Sequence, residues 1–187
     1  MLVELLDILG AQIEKCTNMT LKEDGYIKAN TYVGGIAGIN YAMGNIDNSL
    51  NFAKIIVSGD NAGGIVGVNN ANISNCYNKG NLDASNCEGA KVGGICGQNI
   101  SDSYISSSYN IGKIDYKLSA DGVVGADFGT TSNCYYLDSC INIKNDLFVK
   151  TQDELKTSIL ENLSDFYKED KGNVNNGYPV LIWEASE

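Results

Sequence analysis

The chain contains no histidine and no arginine, and only one proline and one tryptophan. Without histidine it lacks the commonest general base, the commonest zinc ligand and the usual partner of a nucleophilic serine. Without arginine it lacks the side chain that reads guanine edges and clamps acidic groups in two-point fashion. Its 13 basic residues are all lysine and stand against 23 acids, a net charge of -10. No basic face for phosphates follows from such a balance, so nucleic acid is excluded as a partner. No segment is long and apolar enough to enter a bilayer, so no membrane insertion is expected. No C-x-x-C pair and no twelve-residue calcium loop occur. The expectation is a non-enzyme with no catalytic residues, no cofactor and no metal.

Asparagine and glycine are abundant instead, 23 and 21 residues of 187. These two residue types most readily accept left-handed backbone, so the chain must turn often. Three segments repeat: VGGIAGIN from Val33, AGGIVGVN from Ala62 and VGGICGQN from Val92, starting 29 and then 30 residues apart. GVVGAD (Gly122 to Asp127) is a worn fourth copy. A second element follows each: IDNSLN from Ile46, ISNCYN from Ile73, ISSSYN from Ile105 and TSNCYY from Thr131, with an earlier IEKCTN from Ile13. A weaker third element reads GNL at Gly80 and GKI at Gly112.

Such short β-branched and aromatic runs, bounded by Gly and Asn, predict strands. Three strands in a unit of about thirty residues form one coil of a β-solenoid, in which repeats stack and share a core. The fold class expected is all-β, a short β-solenoid (β-helix) of about four to five coils with a C-terminal helix-plus-strand cap. At about 4.8 Å per coil, such a body stands about 20 Å tall. Ile36, Ile65, Ile95 and Val123 should form one inward row, and Ile46, Ile73, Ile105 and Thr131 another. Cys16, Cys76 and Cys134 share a column with Ser49 and Ser108; Leu50, Tyr77, Tyr109 and Tyr135 fill the next. The pairs Gly34 and Gly35, Gly63 and Gly64, and Gly93 and Gly94 mark a corner or a close backbone approach. Asn48, Asn75 and Asn133 are the expected amide ladder.

At these residues the chain resembles the GLUG-motif repeat family, over roughly residues 10 to 140. The matching stretches are VGGIAG, AGGIVG and VGGICG, each followed by Asn and then an I-x-N-C-Y-N type segment. The resemblance implies an exported repeat module, because the family occurs in bacterial surface and secreted proteins, among them adhesin-like proteins and non-catalytic regions of IgA1-specific metallopeptidases. It carries over no catalytic residue. NNGYPVLIWE (Asn175 to Glu184) is similar to an N-G-Y-P-x-L-x-W ending that closes repeat regions of such proteins. Met1 to Gly10 lacks a basic start and a small-residue cleavage site, which suggests a piece of a longer parent.

Two regions are expected: repeats over 1–144 and a cap over 145–187. TQDE (Thr151 to Glu154) is a capping box, followed by Leu155, Ile159, Leu160, Leu163 and Phe166 at helical spacing, with Gly172 as the stop. Tyr178 to Trp183 reads as a strand started by Pro179. This segment should fold over the final coil. Leu2, Leu5, Leu6 and Leu9 have helical spacing and could cap the other end.

The six cysteines invite a disulfide reading in an exported protein, with Cys87–Cys96 and Cys134–Cys140 as the open pairings. The Cys/Ser column instead favours small-residue packing of Cys16, Cys76 and Cys134. GGIVGVN is out of register with the calcium nonapeptide, so a tight corner is preferred; Asp121, Asp127 and the loop at Asp60 could hold calcium adventitiously. The acids Asp47, Asp60, Asp83, Glu88, Asp102 and Asp115 sit at differing repeat positions, which argues for a solvated face rather than a glycan-cleaving pair. Tyr77, Tyr109 and Tyr135 are expected in the core; Tyr104, Tyr116 and Tyr136 are candidates for an exposed row.

The function expected is a non-enzymatic structural or adhesive module of a bacterial secreted or cell-surface protein. Its partners would be a host or cell-envelope protein or glycan, met by loops Tyr41 to Asn45, Asn86 to Lys91 and Tyr116 to Asp121, and neighbouring domains of a longer chain. The alternatives are a glycan-binding or glycan-cleaving β-helix and a non-catalytic accessory region of a surface metallopeptidase.

Overall fold

The computed structural model describes residues 11–20, 25–142 and 148–184. Leu2, Leu5, Leu6 and Leu9, the residues of the expected N-terminal cap, lie outside these. The chain winds into a β-solenoid of about four turns in which each strand pairs in parallel with its copy one coil away. The first three coils carry five short strands each rather than three, and the fourth has only an isolated bridge, Asp121 with Gly93, at one of these places. In chain order they build five sheets, here A to E. Sheet A holds Gln12–Glu14, Asn45–Asp47, Asn72–Ser74, Tyr104–Ser106 and Thr130–Ser132. Sheet B holds Thr17–Asn18, Leu50–Asn51, Tyr77–Asn78, Tyr109–Asn110, Tyr135–Leu137 and Val149–Lys150. Sheet C holds Tyr26–Ala29, Lys54–Val57, Leu82–Ala84 and Ile114–Tyr116. Sheet D holds Tyr32–Gly34, Asn61–Gly63 and Lys91–Gly93. Sheet E holds Ala37–Asn40, Val66–Asn69, Cys96–Asn99 and Val124–Asp127.

Two bends split the expected runs. The Gly-Gly pair separates sheet D from sheet E. A left-handed residue separates A from B in every coil: Lys15, Asn48, Asn75, Ser107 and Asn133, with φ of 54, 48, 52, 50 and 50°. Asparagine suits this position because its short polar side chain tolerates left-handed backbone.

The interior is one apolar column. Ile36, Ile65, Ile95 and Val123 are all buried, and the backbone N–H of each of the first three donates to the carbonyl of the next coil's row member at 2.9 Å. Ile13, Ile46, Ile73, Ile105 and Thr131 are register partners along sheet A. Ile55, Leu82 and Ile114 form the matching row on sheet C.

The C-terminal segment departs from its expected place. Helix α1 spans Gln152–Asn162, opened by the Thr151/Glu154 capping box, and Leu163 is already its cap. Phe166 therefore lies beyond the helix rather than on it, and Gly172 stands too far past Leu163 to be its stop. Tyr167–Lys168 then pairs antiparallel with Val180–Leu181. Val149–Lys150 extends sheet B past the last coil, but α1 and the hairpin lie against the side of the stack. There Leu155, Ile159, Leu163, Tyr167, Tyr178 and Leu181 pack on Leu50, Tyr77 and Tyr109. The physical reason is the alternation of strand side chains. In sheet B the residue before Tyr77 points inward, so the tyrosines point out and need their own cover.

Candidate functional site

The repeat motif spends its side chains on closing the coil. A β-carbon placed on Gly35, Gly64 or Gly94 would stand 2.3, 2.3 and 2.4 Å from the side-chain amide of Asn51, Asn78 and Asn110. On Gly34, Gly63 or Gly93 it would meet the carbonyl of Ala37, Val66 or Cys96 at 2.2, 2.1 and 2.1 Å. Both glycines are thus excluded from bearing side chains, one by an amide and one by the backbone of its own turn. In the last coil the Tyr136 ring takes the place of the asparagine, 2.2 Å from a β-carbon on Gly122.

Those asparagines form the real amide ladders. Nδ2 of Asn18 donates to Oδ1 of Asn51, Asn51 to Asn78 and Asn78 to Asn110, at 2.9, 2.9 and 2.8 Å. A second ladder runs Asn40 to Asn69 to Asn99, at 2.8 and 2.9 Å, and ends on the Asp127 carboxylate at 2.9 Å. Asn51, Asn69, Asn78 and Asn110 also close their local turns; Asn78, for one, donates to Gly80 O and accepts from Gly80 N. Asn48, Asn75 and Asn133 do not stack as a ladder. They occupy the left-handed bend, where Asn48 and Asn75 both donate to Asp47. The distinguishing signal was present in the sequence: Ser107 interrupts the Asn48 column, whereas Asn51, Asn78 and Asn110 recur without a break.

The Cys/Ser column has a chemical reason as well as a size reason. Ser49 and Ser108 hydroxyls donate to the carbonyls of Asp47 and Ser106, both at 2.8 Å. Cys76 and Cys134 thiols donate to Ser74 and Ser132 carbonyls at 3.0 and 3.2 Å. In every case a short X–H group ties back across the left-handed residue. Cys76, Cys96, Cys134 and Cys140 are buried, and all six cysteines are free. Neither the Cys87–Cys96 nor the Cys134–Cys140 bridge forms; Cys87 instead approaches Gly59 O. Cys16 is exposed, so packing does not account for it. Burial holds the thiols of Cys134 and Cys140 up at about 12 and those of Cys76 and Cys96 higher still, which leaves them unreactive.

On the flank, Tyr77 and Tyr109 stack with ring centroids 5.1 Å apart, and Tyr167 meets Tyr109 edge-on at 5.4 Å. Tyr77 OH donates to Glu184 at 2.9 Å, and Tyr109 OH donates to the Pro179 carbonyl. The buried Asn175 amide donates to Tyr109 OH at 2.7 Å. Tyr167 OH reaches back to the Ser107 and Cys76 carbonyls, and Trp183 Nε1 donates to Asn48 O. The NGYPVLIWE ending is thus a lock for the tyrosine column. Tyr135 is half-buried, and Tyr136 is fully buried rather than exposed, because it plugs the last coil beside Gly122.

The acids scatter, with one exception. Asp83 and Asp115 are register partners on sheet C, not residues at different repeat positions. The GNL and GKI elements place both one residue after the inward apolar. They sit with Lys54, 3.4 Å from Asp83, and Lys113, 2.7 Å from Asp115. The Ser85 hydroxyl holds the Asp83 carboxyl below its ordinary range, helped by Lys54. Glu88 pairs with Lys117. Asp47 is taken up by Ser74, Asn75 and Asn48 on sheet A. Asp121 caps its own turn through Val123 N at 2.8 Å, and Asp127 accepts from Gly129 N. Among the described residues, no group of three or more His, Cys, Asp or Glu side chains is placed to hold a metal.

The comparisons agree with this geometry. The GLUG motif matches residues 29–55, which run from the end of a sheet C strand through the first Gly-Gly bend and on to sheet C of the next coil. The chain carries the GLUG motif. No curated protein matches it. A solved structure described as a "putative immunoglobulin A1 protease from Bacteroides ovatus" shares the fold at a TM-score of 0.60 and 18% identity, covering 93% of this chain and 75% of that one. Among the described residues no helix is long and apolar enough to cross a membrane.

Proposed function

We propose that this GLUG-motif chain is a non-enzymatic structural or adhesive module of a bacterial secreted or cell-surface protein. The observation that carries the reading is the use made of the motif. Its glycines admit amide ladders, its asparagines link coil to coil, and its cysteines and serines close bends. The chemistry repeated in each copy is therefore turned inward, toward stiffness, and the outer loops are left to make contacts. Asp83, Asp115 and Glu88 are paired with lysines, and Asp47 and Asp127 with amides, which suits a solvated face. The solenoid shared with the Bacteroides structure also supports a second reading, a non-catalytic accessory region of a surface protease.

The test is an incubation of the purified chain with host and bacterial polysaccharides and with immunoglobulin, followed by chromatography of the products. No new fragments are expected. Defined sugar or peptide products would overturn the non-enzymatic reading. Antibody labelling of intact cells expressing the parent gene tests the location, with labelling before permeabilisation expected.

A further inference from the structure

The corner between sheets E and A differs from the rest of the outer surface. Residues just after each ladder asparagine and at the start of each sheet A strand point outward there, by the alternation that turns Asn99 and Ile105 inward. In the two last coils this places Ile100, Tyr104 and Phe128 on two stacked turns. Phe128 N donates to Asn99 O, and Thr130 N donates to Ser103 O, so the Phe128–Thr130 turn lies directly on the Ile100–Tyr104 turn. Gly129 fits there because a β-carbon would lie 2.5 Å from Ser103 O. Tyr104 and Phe128 are 55% and 63% exposed, unlike Tyr77 and Tyr109, which the C-terminal arm covers. The equivalent positions in the coils below are Asn70 and Tyr41 beneath Ile100, and Asn72 and Asn45 beneath Tyr104.

Charge separates this corner from sheet C. Sheet C and its loops carry the ion pairs Lys54–Asp83, Lys113–Asp115 and Lys117–Glu88. Around the Ile100–Tyr104 and Phe128–Thr130 turns the side chains are aromatic, aliphatic or hydroxyl, with two carboxylates, Asp102 and Asp127, the latter held by Asn99 and Gly129 N, and no lysine. With a net charge of -10 and no arginine, the chain repels anionic ligands and has no guanidinium to clamp a carboxylate. Two open aromatic rings beside uncharged amides fit a ligand with weakly positive C–H faces and many hydroxyls. The ring faces are electron-rich and accept C–H groups, while amides both donate and accept. We infer that the corner carrying Tyr104 and Phe128 is a binding surface for uncharged glycans. The inference rests on the adhesive reading above and gives it a ligand class and a place.

The experiment is affinity electrophoresis of the whole chain through gels containing a β-glucan, a mannan or a soluble chitin oligomer, with an anionic polysaccharide alongside. Retardation by at least one neutral polymer is expected, weakened at least tenfold in the Tyr104→Ala/Phe128→Ala double variant. Tyr26→Ala, exposed on sheet C, should bind like the parent, and circular dichroism should show both variants folded. Retardation by none of the neutral polymers, by the anionic one alone, or equally in the double variant would overturn the proposal, as would a protein ligand that alone needs these two rings. Retardation without cleavage supports both readings. Retardation with cleavage keeps the surface and overturns the non-enzymatic role. No retardation removes the surface and leaves that role standing.

Discussion

The inside of the stack and its covered flank start from the same repeat but are held in different ways. Inside, each coil contributes an equivalent residue to each row, so one amide or one isoleucine is supported by like neighbours above and below. On the flank, the Leu50, Tyr77 and Tyr109 column is met by a segment that occurs once, and three tyrosine hydroxyls and one tryptophan N–H fix its position. Repetition gives rigidity without any single indispensable contact partner outside the repeat. The arm gives a definite side to an otherwise uniform rod, at the cost of depending on a few hydrogen bonds.

The sharpest way to break the inside is to add one carbon. Gly64→Ala puts a β-carbon 2.1 Å from Gly94 O and 2.3 Å from Asn78 Cγ. Neither can yield, so the variant should lose about 3 kcal/mol or more, read as a collapsed urea midpoint. Gly89→Ala is the contrast: its β-carbon meets nothing within 4 Å, though φ is +84°. The loss there should be about 1 kcal/mol from backbone strain alone.

Asn78→Ala comes next. It strands donors and acceptors of Asn51, Asn110 and Gly80 inside the stack, for an expected loss of about 2–4 kcal/mol. Asn133→Ala, at an exposed left-handed bend, should cost about 1 kcal/mol. Equal losses in the two variants would erase the distinction between ladder and bend.

Tyr109→Phe should weaken only the flank, by about 1–2 kcal/mol, because Asn175 and the Pro179 carbonyl lose their shared partner. Native-state hydrogen exchange should speed up in α1 and in Tyr167–Lys168 while Val66–Asn69 stays protected. Uniform acceleration would mean that arm and stack open together.

A pH titration separates the regions more gently. Burial raises the phenol groups of Tyr77, Tyr109 and Tyr167 well above the ordinary 10, with neighbouring tyrosines and acids adding to it. Their folded values exceed the unfolded one, so their stabilisation is complete below pH 10 and is lost as pH rises beyond it. Absorbance at the tyrosinate band should therefore show these three ionising only as the arm unfolds. Glu184 is likewise raised, chiefly by burial, so the arm should bind more firmly as pH falls toward 4.5. The smallest perturbation is thiol labelling: Cys16 and Cys87 should react in the native chain, and Cys76, Cys96, Cys134 and Cys140 only after unfolding.

Much of the stack was legible in the sequence because its rule is translation. Once the Gly-Gly pairs aligned, Ile36, Ile65 and Ile95 had to superpose, and so did Cys76 with Ser49 and Ser108. What translation leaves open is direction. Asn48 and Asn51 recur at the same period; the break at Ser107 marks the Asn48 column as the less strict one, and the left-handed backbone there turns Asn51 inward. The same ambiguity hid the fate of Tyr77 and Tyr109: burial was foreseeable from their type, but not that they face out beneath an arm. The helix itself was marked by TQDE, while its docking surface is a tertiary choice that no local pattern encodes. Tyr136 looked like a spare aromatic because the loss of asparagine in the last copy concealed its role as the plug against Gly122.

The central claim is that the coils lie in sequence order, each on the next, around a closed interior. Methyl NMR of a chain labelled at isoleucine tests it most directly. Strong cross-peaks are expected between Ile36 and Ile65 and between Ile65 and Ile95, with none between Ile36 and Ile95, which are separated by about two strand spacings. A direct Ile36–Ile95 contact, or the absence of both neighbouring ones, would contradict the stack.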